Sequence, residues 1–232
     1  MATEIIDANQ SESIHDTVVH EPAWTSSATS DNSIPLLPAT TPVYKEDEDD
    51  SRTLLGMKVG VIIQARATSQ RFPNKVMAKF EDGTSVLQCV INKVRRLGLP
   101  VIVAIPNTPG NDVLAEYLEK FDVKIYRGKE NDVLDRFIQA ADNFGLELII
   151  RVCADSPLIN ENDIVNNLNQ FTAEQGCRMI WGMGSWVFTL EMLQEVAHES
   201  AHAEDWEHCG FHYLSRTIDW ADDIERVGKH LI

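Results

Sequence analysis

The chain has 232 residues, 44% of them hydrophobic, and a formal charge of −16 at pH 7. That length and apolar share suffice to bury a core, while the negative charge argues against a sequence-independent grip on DNA or RNA, which depends on cations displacing condensed counterions. No stretch reaches the roughly eighteen apolar residues of a membrane span, and no basic segment followed by an apolar run opens the sequence, so a soluble, unexported, cytoplasmic protein is expected.

Residues 1–55 are rich in Ser, Thr, Asp and Pro, lack helical or strand periodicity, and end in the acidic run Glu46 to Asp50. Residues 1–56 alone hold eleven acidic and two basic residues, so more than half of the net charge belongs to this segment. Such a sequence cannot bury enough apolar surface to offset its ordering entropy, and it reads as a disordered acidic arm. The apolar patches Ala23–Trp24 and Ile34–Pro38 read either as part of a solvated tail or as docking motifs for a protein partner.

From Met57 the pattern changes, and residues 56–232 are expected to form one α/β domain. Lys58 to Ile63 is a short β-branched strand, and Thr84 to Leu97 an amphipathic helix with Val86, Leu87, Val90, Ile91 and Val94 on one face. Strands follow at Pro100 to Ile105, Val123 to Tyr126 and Glu147 to Val152, with helices at Asn111 to Phe121 and Asp132 to Phe144 between them. Buried strands joined by amphipathic crossovers imply a mainly parallel sheet with helices on both faces, and ligands in such folds gather at the carboxyl ends of the strands.

Directly after the first of these strands comes Gln64-Ala-Arg66-Ala-Thr68-Ser69-Gln-Arg71-Phe-Pro73-Asn74-Lys75. Three cations in ten residues of so acidic a chain make a local positive site where this topology binds ligands. Guanidinium forks match phosphate oxygens, lysine adds a mobile charge, and Thr68, Ser69 and the backbone amides complete an anion cradle. The alternative is a solvated basic loop. A second cluster, Arg151-Val-Cys-Ala-Asp155-Ser-Pro157-Leu158, closes the last strand; its aspartate suits either a divalent cation or a turn before Ser-Pro.

The run from Ile62 to Val76 resembles the first motif of the cytidylyltransferases of the spore-coat-polysaccharide and acylneuraminate type, relatives of the enzyme that makes CMP-activated octulosonate. Arg66, Arg71, Pro73 and Lys75 match it, while Thr68 and Asn74 stand where the family has glycine; Asn74 suits the left-handed backbone that a glycine serves, and Thr68 narrows the loop. The 151–158 cluster resembles the family's second motif. The resemblance implies a three-layer nucleotide-diphospho-sugar transferase fold of the GT-A/Rossmann-like kind, with a mostly parallel sheet. It further implies CTP as substrate, Arg66, Lys75 and Asp155 in catalysis, and Asp155 as a ligand of Mg²⁺. Arg66, Arg71, Lys75, Asn107, Arg127 and Arg151 are the implied nucleotide and sugar contacts. Asp132 and Arg136, in a segment like the family's third, are either further contacts or an N-cap and a solvated helix face.

Beyond residue 170 the likeness weakens. A later family strand carries two acids, and the matching stretch Gly182 to Phe188 has Gly184 and Trp186 in their places; Trp206-Glu207-His208 keeps a trace of another motif. His198 with His202, and His208 with His212, stand at i, i+4 spacing but lack the companion ligands of a zinc site, so surface or capping roles are the default. The four cysteines form no C-x-x-C pair and read as reduced thiols. Two functions result: CTP-dependent activation of a sugar or sugar acid for polysaccharide biosynthesis, or a domain without turnover that serves as a binding component of a larger assembly such as a virion. The oligomeric state stays open.

Overall fold

The computed structural model describes residues 45–46, 52–69, 71–182 and 184–199. The docking motifs and most of the acidic arm lie outside the described residues, as do Gln70, Met183, His202, Trp206, Glu207, His208, Cys209 and His212. In chain order the elements are β1 (Lys45–Glu46), β2 (Arg52–Leu54), β3 (Met57–Gln64), α1 (Val86–Arg95), β4 (Val101–Pro106), α2 (Asp112–Leu118) and β5 (Lys124–Gly128). They continue with α3 (Val133–Phe144), β6 (Leu148–Cys153), α4 (Glu161–Ala173), β7 (Met179–Trp181), β8 (Ser185–Thr189) and α5 (Leu190–Glu199).

The main sheet runs β5-β4-β3-β6-β8-β7. The strands β5, β4, β3 and β6 are mutually parallel, and β8 is antiparallel to both β6 and β7. Because side chains alternate along a strand, each central strand feeds two cores. Val59, Val61 and Ile63 of β3, Val101, Val103 and Ile105 of β4, and Leu148, Ile150 and Val152 of β6 pack on one face with Leu87, Val90 and Ile91 of α1, Leu114 of α2 and Ile164 of α4. Ile62, Ile102, Ala104 and Ile149 face the other way, onto Phe137 of α3 and Leu193 of α5. The result is the three-layer α/β architecture with helices on both faces, the sheet mostly parallel.

Local signals explain most boundaries. The hydroxyl of Ser85 caps α1 by accepting from the Gln88 amide at 3.0 Å, and Leu87, Val90, Ile91 and Val94 form its buried stripe. Asp132 caps α3 by accepting from the Asp135 amide at 2.9 Å, and Gly145 ends that helix at φ 67°, a conformation glycine adopts without a Cβ clash.

Three features differ from the sequence expectation. Arg52–Leu54 pairs with β3, so the sheet begins before residue 56 and a boundary at residue 55 is a few residues late. The helix α4 carries four asparagines, poor interior helix formers, and is held instead by Ile164, Leu168 and Phe171 on one buried stripe. The antiparallel β8 and the helix α5 after it complete the edge beyond β6.

Ser85 is fully buried and accepts a second hydrogen bond from the Tyr117 hydroxyl at 2.8 Å. Ser85→Ala leaves both donors without this acceptor, and we expect it to destabilise the fold by about 1–2 kcal/mol. Urea unfolding checks this: the midpoint falls with the slope unchanged, and a shift worth under ~0.3 kcal/mol would show that the cap contributes nothing.

Candidate functional site

The basic loop after β3 is anchored through its backbone, while Arg66, Thr68 and residues 71–74 are exposed. The Ala65 amide donates to the Ala104 carbonyl at 3.2 Å, continuing the pairing of β3 with β4 by one step. The Ala67 amide then donates to Oδ1 of Asn111 at 2.8 Å, and Asn111, fully buried, donates through Nδ2 to the Thr108 hydroxyl at 2.9 Å. Asn111 therefore clamps the start of the loop to the turn before α2. No motif marks this residue in the sequence; burial of a lone asparagine is visible only in three dimensions.

The Ser69 and Asn74 amides both donate to the Ala67 carbonyl at 2.9 Å, drawing the loop into a closed turn. Asn74 sits at φ 58° and ψ 20°, the left-handed conformation expected from its replacing glycine, and it launches a 3₁₀ turn over Lys75–Met77. Ser69 is buried with its amide engaged in this turn. The Thr68 hydroxyl donates to Glu130 at 2.9 Å, and its methyl occupies the space a side chain at Gly110 would need, bracing the loop against the neighbouring turns. Arg66 and Arg71 remain on the exposed side of the loop.

The two motifs meet. β3 and β6 are parallel neighbours in register, with Gln64 beside Cys153, so both lead out at the same rim. There the Lys75 ammonium forms an ion pair and hydrogen bond with the Asp155 carboxylate, across 80 residues of sequence. The side chains of Lys75 and Asp155 are 29% and 43% exposed, so solvent screens the pair and its contribution to stability is at most ~1 kcal/mol. An arriving cation or anion can displace such a partner cheaply. The loop beyond Asp155 is fixed by Lys93 of α1, whose ammonium donates to the Pro157 and Ile159 carbonyls at 2.8 and 3.1 Å.

Arg151 lies behind this pair, almost wholly buried, donating to Oε1 of Gln64 at 2.8 Å. Its guanidinium carbon is 4.2 Å from the centroid of the Trp186 ring, its direct cross-strand neighbour on β8. Trp186 thus covers Arg151 on the α3 side of the sheet and does not fill the space beside Asp155. That space is an open cavity of about 370 Å³ lined by Asp155, Ser156, Ile159, Asn160, Asp163 and Gly184. Gly184, at one of the two positions where the resemblance implies an acid, faces this cavity, and Asp155 and Asp163 are the carboxylates lining it. Among the described residues no three His, Cys, Asp or Glu side chains gather into a metal cage. Burial pushes the Cys153 thiol up from its ordinary range, with Arg151 opposing, so the thiol next to this site stays protonated near neutrality and is no ready nucleophile.

The remaining sequence candidates divide. Asn107 follows β4 at the same rim, exposed, with its amide donating to the Gly128 carbonyl at 2.7 Å. Arg127 on β5 is held away from the Lys75–Asp155 pair by Asp112 at 2.5 Å and by the Thr108 carbonyl at 3.3 Å, bracing β5 to the start of α2. Arg136 corrects both sequence alternatives: it is neither a contact nor a solvated face, but 1% exposed and bonded to the Lys129 and Glu130 carbonyls. Asp132 is an N-cap. His198 lies in the last turn of α5. Among the described residues Cys89, Cys153 and Cys177 are free thiols, and no helix is long and apolar enough to cross a membrane.

Comparison with known proteins places this rim in context. The cytidylyltransferase family profile matches residues 60–206. An uncharacterised protein of Methanocaldococcus jannaschii is 30% identical over 159 residues, covering 66% of this chain and 65% of that protein. The spore coat polysaccharide biosynthesis protein SpsF of Bacillus subtilis is 27% identical over 121 residues, half of each chain. The chain therefore spans between half and two thirds of the length of these two relatives. Among solved structures, a cytidylyltransferase from Leptospira borgpetersenii superimposes with a TM-score of 0.62 at 27% identity, over 67% of this chain and 70% of that one.

If Asn111 anchors the loop, Asn111→Ala destabilises the protein by about 1–3 kcal/mol, since it removes the partner of the buried Ala67 amide. Amide exchange at Ala67 and Ser69 should accelerate well beyond the change in global stability. Equal acceleration throughout the sheet would mean that Asn111 supports the fold alone and not the loop.

Proposed function

The chain belongs to the cytidylyltransferase family, and from that premise we propose that it transfers the cytidylyl group of CTP to a hydroxyl of a sugar or sugar acid. The observation that carries this reading is the contact between Lys75 and Asp155, which unites a basic loop and an acidic strand end at the ligand-binding rim of the sheet. The acceptor oxygen attacks the α-phosphorus, the bond from that phosphorus to the bridging oxygen breaks, and pyrophosphate leaves with the bonding electrons. The acceptor's proton passes to solvent, and the products are a CMP-sugar and pyrophosphate. Such chemistry needs in-line positioning and charge neutralisation more than a covalent intermediate.

Each residue has a role in this scheme. Arg66, Arg71 and Lys75 would neutralise the triphosphate, Asn107 would border the nucleoside, and Arg151 would orient the acceptor, with Arg127 as a brace. The donor set fits Mg²⁺ in the mode that small cations prefer: a half-exposed carboxylate at Asp155, a second at Asp163 on the same cavity, and room for water and phosphate oxygens. When bound there, Mg²⁺ would neutralise charge on the leaving pyrophosphate. The name of the Bacillus subtilis relative suggests a carbohydrate acceptor and a place in polysaccharide biosynthesis.

A second reading has its own observation. Gly184 opens onto the Asp155 cavity where the family places an acid, and Trp186 faces Arg151 where it places another. A chain so altered would bind nucleotide without turning it over and serve as a component of a larger assembly.

Pyrophosphate release from CTP in the presence of Mg²⁺ and candidate sugars separates these readings. Transfer predicts release that Asp155→Ala lowers by at least ~100-fold, together with calorimetric CTP binding that needs both Mg²⁺ and Asp155. CTP binding without release from any sugar favours the second reading. Nucleotide binding indifferent to Asp155→Ala would sink the site assignment in both.

A further inference from the structure

The segment that carries Asp155 has little of its own to hold it. Residues Ala154 to Ile159 join the end of β6 to Asn160, the N-cap of α4. Ala154 and Ile159, at the two ends, are buried, but between them Asp155 is exposed and Leu158 is 90% exposed. No side chain from 155 to 158 is buried, so burial does not fix the carboxylate. The Ser156 amide donates to the Cys153 carbonyl and the Ile159 amide to the Ser156 carbonyl, both at 3.1 Å. Bonds this local set the curvature of the loop and not its placement beside the basic loop.

Placement comes from α1. Cys89, Lys93 and Arg96 follow one another at i, i+4 and i, i+3 spacing along one side of that helix and its C-cap, and all three reach the 157–161 segment. The Lys93 ammonium donates to the Pro157 and Ile159 carbonyls at 2.8 and 3.1 Å, the two that bracket the exposed Leu158. The Cys89 thiol adds a long contact to the Pro157 carbonyl at 3.6 Å, and Arg96 pairs with Glu161 at 2.8 Å. Lys93 is half-buried, and among the described residues its charge meets no carboxylate. Because its partners are peptide carbonyls, it is not released when charges at the rim change partners.

Lys75 is the opposite case. Its ion pair with Asp155 is screened by solvent, and in the transfer scheme Lys75 turns to the triphosphate. The carboxylate then loses its present partner when it has to meet Mg²⁺. We propose that Lys93 is a positioning residue that keeps the Asp155 loop in place through this exchange, a role that rests on reading Asp155 as the residue for Mg²⁺ and CTP. In that role Lys93 touches neither nucleotide nor metal. It removes the need to order residues 155–158 when the ligand arrives, a preorganisation that a displacement of about 1 Å can undo.

The test is the Mg²⁺ gain of the full chain, the ratio of its calorimetric CTP affinity in Mg²⁺ to that in EDTA. Lys93→Met is expected to lower this gain about tenfold, while the affinity in EDTA, which reports on the basic loop, stays within about twofold. Lys93→Arg, whose fork reaches the same two carbonyls, returns the gain to within about twofold of the wild type. Arg96→Gln loosens the same helix from the start of α4 without touching those carbonyls, and it keeps the gain within about twofold; a purely structural role would lower the gain in both positions alike. Lys93→Gln, a shorter and neutral donor, lowers the gain about fivefold and takes the place of Lys93→Met should the latter not fold. The proposal is overturned if the Lys93 variant keeps the wild-type gain within about twofold, or if Arg96→Gln loses as much. A wild type with no Mg²⁺ gain removes the reading of Asp155 itself, whereas a wild-type gain that survives in Lys93→Met removes the positioning role alone.

Discussion

The parallel pairing of β3 with β6 is the constraint on which the rest of this molecule depends. Their register sets Gln64 beside Cys153, so the segments that follow both strands emerge at one rim, and a lysine eleven residues beyond Gln64 can reach an aspartate two beyond Cys153. A slip by one residue would turn every side chain of β3 to the opposite face and exchange the two cores. Val59, Val61 and Ile63 on one face and Ile62 on the other, all essentially without solvent exposure, hold that register. The weak, half-exposed ion pair at the rim is thus a product of strong packing beneath it, and the rim can exchange partners without disturbing the sheet.

Much of this was legible in the sequence because it is governed by local pattern. The β-branched runs and the 3.6-residue stripes of α1 and α3 mark their elements, and the loop's cations announce themselves against an acidic background. Asn74 shows how a departure from a motif can be read physically: a residue tolerant of left-handed angles takes a glycine's place and adopts those angles. What the sequence concealed depends on tertiary context. The helix α4, with its asparagines, forms because Ile164, Leu168 and Phe171 find a core, and Asn167 binds the Ser185 hydroxyl at 2.9 Å across to β8. Asn111 and Arg136 are polar residues that only burial distinguishes from surface ones.

Three arginines, two of them buried and one partly buried, illustrate this limit. Arg127, Arg136 and Arg151 look alike as letters, each within a motif-like segment. Arg136 donates to backbone carbonyls that close the turn before α3, and Arg127 pairs with an aspartate that ties β5 to α2. Only Arg151 combines burial, an aromatic cover and a place beside Gln64 at the rim. Residue types at this rim are therefore distributed by strand order, with the loop's cations on the β3 side and the contact of Arg151 with Trp186 on the β8 side.

The backbone of Gly184, left-handed at φ 77°, bears on how readily this chain can change over evolutionary time. Asp and Asn are the side-chain-bearing residues that visit that conformation most readily, and a Cβ there would rest 3.5 Å from Ile159, an ordinary contact. A glycine codon ending in a pyrimidine becomes an aspartate codon by one base change, whereas the tryptophan codon at position 186 is two changes from glutamate. The carboxylate on the cavity side is thus one mutational step away on a backbone already shaped for it. The aromatic cover over Arg151 is the more entrenched of the two departures, and drift is more apt to restore the first than to undo the second.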